Sequence, residues 1–251
     1  MRKEIILSIN VLKIKFMDAK VFYENDYLEK GLKAQRLYPN EELCRFMGRN
    51  YFSKDMTYEQ RNKIRILEVG CGSCANLWMI AKEGFNTYGC DLSENAIILG
   101  QKMLEKYKVS ASLTSCNMIK TPYEGHFFDT VIDVFSSNCI CRKDYILFLK
   151  EIKRVIKPFG LFFSYFPSKR SDTYLRSALE DRYDEDTLKE LHDVKSPYFG
   201  QEYLFRFMSF EDVKQLLSDA GFDVRYIETT GRTYRKGEEY FEWIVFEATS
   251  I

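Results

Sequence analysis

The sequence predicts an α/β protein with a doubly wound, seven-stranded sheet that is mostly parallel and ends in an antiparallel C-terminal hairpin. Short β-branched and apolar runs alternate with helical spacing over residues 64–166, which is typical of parallel strands covered on both faces. After residue 222, two strand-like runs follow each other across a linker short enough for a hairpin. The chain has 251 residues and is 45% apolar, which is enough to bury the core of such a sheet.

Residues 1–62 form a predicted N-terminal helical segment that is placed to act as a lid. Apolar residues recur at steps of three and four from residue 18 onward, and Pro39-Asn40 separates two helices. Asn40 is a suitable N-cap for the second helix. Residues 1–17 contain an apolar stretch broken by polar side chains and no signal-peptide cleavage site. We interpret them as a strand, a partner-binding arm or the product of a start assigned too early, with Met17 as the alternative start.

The domain that follows, residues 63–251, begins with five predicted strands and three predicted helices. The strands are placed at 64–69, 86–90, 111–116, 129–135 and 161–166. The helices are placed at 76–83, 94–107 and 144–156. Ser93 caps the second helix, and Pro158 and Gly160 end the third.

Residues 167–208 interrupt this alternation and are predicted to be an insertion near the active face. They are rich in charge and tyrosine and show weak periodicity, and we interpret the charge run 180–190 as a solvated helix face. Ser209 then begins a helix, with Asp212 three residues on as in a capping box. The last two strands are placed at 223–229 and 240–248.

Charge and cysteine content bear on the class of protein. The 37 basic and 37 acidic side chains cancel, which argues against nucleic acid as a partner. Seven cysteines at irregular spacing indicate free thiols in a reducing compartment rather than a disulfide framework. No stretch is long and apolar enough to span a bilayer. We expect a cytoplasmic monomer or homodimer, because composition does not decide the oligomeric state.

The segment LEVGCGSCAN, residues 67–76, carries the strongest functional signal. Gly70 and Gly72 lie between a predicted strand and helix, where the absence of a Cβ lets the backbone approach a ligand closely. Asp91 ends the next strand about twenty residues on, where a carboxylate accepts hydrogen bonds from both hydroxyls of a ribose. Ligands of open α/β sheets bind outside the carboxyl ends of the strands. The pattern therefore predicts a nucleotide-like cofactor at this edge.

The glycines alone leave two cofactor classes open. Gly70-x-Gly72-x-x-Ala75 also fits the loose dinucleotide pattern, which would make the protein a nicotinamide-dependent oxidoreductase. Glu68 argues against that alternative, because a carboxylate there repels a pyrophosphate but orients a cationic or amino-bearing ligand. The predicted C-terminal hairpin and the helical segment before the glycine turn are also features that a dinucleotide-binding domain does not need.

The ordered set of motifs resembles the class I S-adenosylmethionine-dependent methyltransferases of the bacterial small-molecule type. The matching segments are LEVGCGSCAN (67–76), YGCDLSENAI (88–97), SCNM (115–118), FFDTVIDVFSS (127–137), EIKRVIKPFGLFFSYF (151–166) and SFEDVKQLLSDAGFDVRYIE (209–228). The resemblance implies a Rossmann-like fold. It also implies in-line methyl transfer from S-adenosylmethionine to a small-molecule acceptor, a metabolite or sugar, with S-adenosylhomocysteine as product. Cys74 departs from the family, which has a third glycine there.

The resemblance also assigns roles along the chain. It implies that the glycine turn passes the methionine part of the cofactor, that Asp91 holds the ribose, and that Asn117 and Met118 flank the adenine. Tyr23 and Tyr27, predicted directly before the lid helix, are placed to contact the cofactor. The candidate cofactor-binding residues are Tyr27, Glu68, Gly70, Cys71, Gly72, Asn76, Asp91, Leu92, Asn117, Met118 and Phe135.

Catalytic and substrate-binding residues are predicted from position alone. The candidate catalytic residues are Asn138, just past the fourth strand, and His192 in the insertion. The candidate substrate wall comprises Tyr198, Tyr203, Arg206, Arg232, Tyr234 and Arg235. Cys71-x-x-Cys74 and Cys139-x-Cys141 also suit a metal. A metal in the glycine turn would occlude the cofactor, so we predict none.

Other functions stay open at this point. A non-catalytic, methyltransferase-like binding subunit is one alternative, and a nucleic-acid or protein methyltransferase is another. O-, N-, S- and C-methylation share the same core, so the sequence identifies neither the acceptor atom nor the need for a general base.

Overall fold

A seven-stranded sheet organises the molecule, which a computed structural model describes over residues 18–251. The alternatives for residues 1–17 lie outside the described residues. The strands are β1 (Arg65–Val69), β2 (Asn86–Asp91), β3 (Ser112–Ser115), β4 (Phe128–Val134), β5 (Ile156–Pro167), β6 (Thr187–Leu188), β7 (Phe205–Arg206), β8 (Phe222–Tyr234) and β9 (Glu239–Ser250). The main sheet has the order β3-β2-β1-β4-β5-β9-β8, and β6 and β7 pair separately.

The direction of the strands confirms the predicted fold class. β1 to β5 run parallel to one another, whereas β9 is antiparallel to both β5 and β8. The central strands are buried on both faces, and in β1 Ile66, Leu67 and Val69 are fully enclosed. Continuous apolar runs are what such a position requires.

Helices cover both faces of the sheet. They are α1 (Ala19–Lys30), α2 (Glu41–Met47), α3 (Tyr58–Asn62), α4 (Leu77–Lys82), α5 (Glu94–Tyr107), α6 (Arg142–Val155), α7 (Asp172–Leu175) and α8 (Phe210–Asp219). Asn40 caps α2 and Ser93 caps α5, as predicted. No helix among these is long and apolar enough to cross a membrane.

The N-terminal segment differs from its prediction in detail. Tyr23 and Tyr27 lie within α1 rather than before it. α1 is held against the start of α5, where the Asn95 amide donates to Glu24 Oε1 at 3.3 Å. Gln35, which follows the 3₁₀ turn Gly31–Ala34, reaches the glycine turn, where Ser73 N lies 3.4 Å from its Oε1. The segment therefore covers the carboxyl edge of the sheet.

The charge run 180–190 is not a solvated helix face, so that interpretation was wrong. It forms a 3₁₀ turn at Leu179–Asp181 and then the short strand β6. Asp186 is fully buried and pairs with Arg142, at 2.5 Å, and with Lys169. Arg142 from α6 and Lys169 from the start of the insertion compensate the buried carboxylate, and the Arg142 pair holds the insertion against the main domain.

Only one half of the capping box predicted at the start of α8 is present. Ser209 Oγ accepts from the Asp212 amide at 3.1 Å, which is an N-cap. The Asp212 carboxylate does not return to the Ser209 amide, because it accepts from Ser209 Oγ and from Lys169 at 3.0 Å. The bonds from Ser209 Oγ and Lys169 thus take the place of the bond that a capping box would make to the Ser209 amide.

The C-terminal hairpin is longer than predicted. β8 and β9 pair from Phe222↔Ser250 to Tyr234↔Glu239, while β5 stops at Pro167↔Trp243. The hairpin therefore continues past the carboxyl end of β5. We call this part, residues 230–242, the hairpin extension; it stands beside the edge where the glycine turn lies.

Candidate functional site

The glycine turn follows β1 and needs both of its glycines. Gly70 has φ +64° and Gly72 has φ +50°, in the left-handed region that favours glycine. A Cβ on Gly70 would lie 2.2 Å from Ser136 Cβ, and one on Gly72 would lie 2.2 Å from Gln35 Oε1. Position 70 is thus closed to any side chain, and a side chain at position 72 would strain the backbone and displace Gln35.

The third position of the turn is also left-handed, although its residue is Cys74, with φ +64°. Its thiol is fully buried beside Gly100 of α5. A Cβ on Gly100 would lie 2.6 Å from Cys74 Sγ, so this second glycine makes room for the thiol. The departure at Cys74 leaves the shape of the turn intact.

Asp91, at the end of β2, is bonded to the glycine turn. Its Oδ2 accepts from Gly72 N at 2.8 Å, and its Oδ1 accepts from Ser93 N at 2.9 Å. Burial raises the pKa of Asp91, and these two amide donors oppose the rise. Each oxygen keeps a lone pair for a further donor, since a carboxylate has about four acceptor sites.

A chain of polar side chains runs from β1 to the N-terminal segment. Asn76 Nδ2 donates to Glu68 Oε1 at 2.5 Å, and Asn76 Oδ1 accepts from Asn40 N at 2.9 Å and from Arg36 at 3.4 Å. Glu68 is only 2% exposed, and its Oε2 has no hydrogen-bond partner in the described part of the chain. Burial raises the pKa of Glu68 to about 8. A cationic group is the natural partner for such an oxygen.

Two adjoining cavities open at this edge. The first, of about 390 Å³, lies over the end of β2, and the second, of about 530 Å³, lies over the end of β1 and beside the hairpin extension. Tyr23, Gln35, Gly70 and Phe135 line both. We call the place where these four meet the junction.

The turn after β4 is shaped by a buried carboxylate. Asp133 accepts from Ser136 Oγ and from Ser164 Oγ, both at 2.7 Å, and from Ser137 N at 3.0 Å. Ser136 is thereby held against Gly70. The network gives Asp133 a structural role, and it presents Phe135, at φ +59°, to the junction.

The structure brings the candidate cofactor-binding residues to one site. Those lining the first cavity are Tyr27, Gly70, Asp91, Leu92, Asn117, Met118 and Phe135. Those lining the second are Glu68, Gly70, Cys71, Asn76 and Phe135. Gly72 lies behind them, against Tyr27 and Gln35.

Five of the other candidates line neither cavity, namely Arg206, His192, Arg235, Asn138 and Tyr203. Arg206 is fully buried, with its guanidinium 3.7 Å from the centroid of the Tyr145 ring and bonds to the carbonyl oxygens of Ile140 and Ser137. It fixes the insertion to the core and does not face a substrate. His192 has a 58% exposed side chain near Asp181 and Glu190, at a separate surface depression.

Arg235 is the third of these. It donates to the carbonyl oxygens of Val194 and Lys195 at the surface, which ties the hairpin tip to the insertion. Asn138 is fully buried, lines neither cavity, and has no hydrogen-bond partner for its amide within residues 18–251. Of the substrate-wall candidates, Tyr198, Arg232 and Tyr234 do line the second cavity.

Sequence reasoning missed several residues of the site. Arg36, Gln35, Tyr165 and Trp243 line the second cavity although no motif marked them. Within residues 18–251, no group of three or more His, Cys, Asp or Glu side chains is placed to hold a metal ion, and all seven cysteines are free thiols.

Comparison with known proteins gives the family of the central part. Residues 66–160 match the family described as a methyltransferase domain. A demethylmenaquinone methyltransferase from Bacillus mycoides is 34% identical over 102 residues, which are 38% of this chain and 41% of that protein. A sterol 4-C-methyltransferase from Caenorhabditis elegans is 26% identical over 152 residues, which are 60% of this chain and 40% of that protein. The matches thus span about two fifths of the length of these curated relatives.

Solved structures show the same fold. A S-adenosylmethionine-dependent methyltransferase from Methanosarcina mazei has a TM-score of 0.62 at 20% identity, covering 74% of this chain and 92% of that one. The fold around the glycine turn is therefore shared with this solved methyltransferase.

Proposed function

Because the chain carries a methyltransferase domain at residues 66–160 within a class I S-adenosylmethionine-dependent methyltransferase fold, we propose that it transfers a methyl group from S-adenosylmethionine to a small-molecule acceptor. The observation that carries the proposal is the buried Glu68 Oε2 without a partner, beside a glycine turn that Asp91 holds closed. An amino-bearing nucleoside ligand suits that combination, and a pyrophosphate does not.

The residues present fit the cofactor. Glu68 would hold its ammonium group and Arg36 its carboxylate, since Asn76 links these two side chains. Asp91 would hold the ribose. Asn117 and Met118, at the far end of the first cavity, would flank the adenine.

The bound cofactor supplies an activated methyl group, so alignment and exclusion of water are what the protein has to provide. The junction is suited to both tasks. Tyr23 Oη lies 2.6 Å from Tyr203 Oη, and burial raises the pKa of Tyr23 well above its usual value, so its hydroxyl stays neutral. Neither histidine lines either cavity, so a base for the acceptor, where one is needed, is not an imidazole.

The relatives' names do not decide the acceptor. One acts on demethylmenaquinone and another on a sterol, which are unlike molecules. The shared domain supports the reaction class, and the acceptor has to be argued from this chain's own second cavity.

Calorimetric titration with S-adenosylhomocysteine tests the proposal. We expect Asp91→Ala to weaken binding at least tenfold, because both ribose bonds are lost. Asp91→Asn keeps the side-chain shape but has one acceptor oxygen, so it retains at most one of the Gly72 and Ser93 bonds, and Asp223→Ala on the exposed start of β8 is a matched surface control. Near-normal affinity of a folded Asp91→Ala protein contradicts the ribose assignment.

Two further measurements separate the alternatives. Thermal stabilisation by NAD and not by S-adenosylmethionine would favour an oxidoreductase. Incubation with methyl-labelled S-adenosylmethionine and cell extract should label small metabolites. A binding subunit would label nothing, and a macromolecular methyltransferase would label protein or nucleic acid.

A further inference from the structure

One side of the second cavity is not explained by the cofactor. It is formed by the end of β5, the insertion, the hairpin extension and Trp243, which directly follows the extension. We call it the outer wall, and its residues are Tyr165, Tyr198, Arg232, Tyr234 and Trp243. Tyr198 of this wall stacks on Phe135 of the junction, so the wall borders the place where the two cavities meet.

The rings of the outer wall form two flat surfaces. Tyr165 stacks on Trp243 with centroids 5.7 Å apart and planes 17° apart, and Tyr198 stacks on Phe135 at 4.9 Å and 28°. Tyr198 and Trp243 meet edge to face, at 85°. The two stacked pairs therefore meet at a steep angle and form a corner. A planar ring of a ligand can pack against either side of this corner.

Arg232 brings an uncompensated positive charge to this corner. Its guanidinium makes no hydrogen bond or ion pair with the described residues, and its charge lowers the pKa values of Tyr165 and Tyr198 against the larger effect of burial. On the opposite strand the extension presents Phe241, which cannot neutralise it.

The neighbouring carboxylates are already engaged. Asp26, on the lid side of the cavity, pairs with Lys30, and Glu41 pairs with Arg45 at 2.8 Å. Glu68 accepts from Asn76 and is the proposed partner of the cofactor's ammonium group. The second cavity is therefore electropositive, and its outer end lacks an anion.

The tyrosine hydroxyls add neutral donors. Burial raises the pKa values of Tyr165 and Tyr198, so both stay protonated at any physiological pH. A guanidinium flanked by neutral hydroxyl donors is a good receptor for a carboxylate or a phosphate.

We propose that the outer wall binds the methyl acceptor, and that this acceptor is a small aromatic anion whose carboxylate or phosphate is bound by Arg232 while its ring packs on the stacked tyrosine and tryptophan rings. The inference rests on the proposed function for the identity of the neighbouring cofactor site. It adds the acceptor class, which neither the domain match nor the relatives provide.

Trp243 is a built-in reporter for the test. The chain has two tryptophans, and Trp78 stacks on Tyr107 at 3.9 Å, outside both cavities. In a Trp78→Phe protein saturated with S-adenosylhomocysteine, ligand-induced quenching reports on the outer wall alone. The probes are 4-hydroxybenzoate, phenyl phosphate, the neutral 4-hydroxybenzamide and glucose 1-phosphate.

We expect at least one aromatic anion to quench Trp243 and to bind at least tenfold more tightly than the amide. Arg232→Gln should remove that preference without changing the weak binding of the amide. Arg225→Gln, on the exposed and distant part of the same strand, should preserve it. Whichever of the two aromatic anions binds more tightly identifies carboxylate or phosphate as the anion.

Three results overturn the inference: equal binding of the acid and the amide, tighter binding of glucose 1-phosphate than of phenyl phosphate, or no quenching by either aromatic anion at millimolar concentration. Calorimetry with S-adenosylhomocysteine on the same samples distinguishes failure of the acceptor class from failure of the proposed function. If that ligand binds and the anion preference is absent, only the acceptor class is wrong. If it does not bind, the proposed function fails as well.

Discussion

The two cavities are built by different means. The first is defined by backbone geometry at the ends of β1 and β2, where Gly72 N donates to Asp91, about twenty residues on, and Gly70 packs closely on Ser136. The second is completed by side chains from segments far apart, such as Arg36 and Arg232. This difference indicates that the cofactor half follows from the local strand–turn–helix geometry, whereas the acceptor half depends on the segments that are added around it.

The largest effect is expected for Gly70→Ala, which changes the cavity that backbone geometry defines. The new Cβ would lie 2.2 Å from Ser136 Cβ at a φ of +64°, so the turn must move. We expect S-adenosylhomocysteine affinity to fall about a hundredfold and the free energy of unfolding to fall by about 2 kcal/mol or more. Calorimetry and thermal unfolding measure the two quantities.

Gly237→Ala is the matched control. Gly237 also has a positive φ, +95°, but nothing lies within 4 Å of the added Cβ. Gly237→Ala should lower the free energy of unfolding slightly and leave the affinity for S-adenosylhomocysteine unchanged. Equal loss of affinity in both variants would show that backbone strain, and not the close approach to Ser136, explains the Gly70 effect.

The next effect concerns the proton on Glu68. Its folded-state pKa is raised from 4.5 to about 8, so below pH 8 it must lose a proton before it pairs with an ammonium group. We expect S-adenosylhomocysteine affinity to rise between pH 6 and pH 7.5, by less than tenfold per pH unit, with proton release detected by calorimetry in buffers of different ionisation enthalpy. Glu68→Gln should remove both the rise and the proton release.

The same substitution has a stability signature of fixed sign. A carboxyl with a raised folded-state pKa stabilises the fold below pH 4.5 and loses that contribution as the pH rises towards 8. Glu68→Gln should therefore gain melting temperature relative to the wild type as the pH increases. Glu59→Gln, at an exposed helix start, should follow the wild type, and a parallel shift in both variants would argue against the buried carboxyl.

A smaller effect is expected at the junction. Tyr23→Phe removes the hydroxyl that lies 2.6 Å from Tyr203 Oη, which is worth about 1 kcal/mol. Methyl transfer to the acceptor should slow about three- to tenfold, while S-adenosylhomocysteine affinity changes less than threefold. Tyr58→Phe, at a 67% exposed side chain, is the control. A large loss of S-adenosylhomocysteine affinity would mean instead that Tyr23 acts mainly in cofactor binding.

The smallest effect is expected at His192. Its side chain is exposed and lies outside both cavities, so His192→Ala should change the free energy of unfolding by less than about 0.5 kcal/mol and leave methyl transfer unaffected. A steady-state assay with the identified acceptor measures this. A loss of turnover would restore His192 as a catalytic candidate and would mean that the insertion moves.

The comparison also explains what the sequence could predict. The glycine turn and Asp91 are local signals, and their meaning depends only on the strand–turn–helix context that periodicity identifies. Arg206 was misassigned because burial against Tyr145 depends on how the insertion folds back, which no local pattern encodes. Trp243 was missed because it looks like any core residue of a strand; only the length of the hairpin places it at the site.

Boundary errors have similar physical causes. The run Thr229–Tyr234 has no apolar alternation because β8 is an edge strand with half-exposed side chains, so it was predicted to end early. The charged run 180–190 looked solvated because sequence alone does not show that Arg142 and Lys169 meet Asp186.

Cys74 and Gly100 have a consequence for redesign. The thiol occupies space that exists only because position 100 lacks a β-carbon. Restoring glycine at position 74 by itself would leave a void between the turn and α5, whereas a methyl at position 100 by itself would collide with sulfur. Positions 74 and 100 should therefore be changed together, as Cys74→Gly with Gly100→Ala. In homologous chains, we expect a larger residue at one of these positions to accompany a smaller residue at the other.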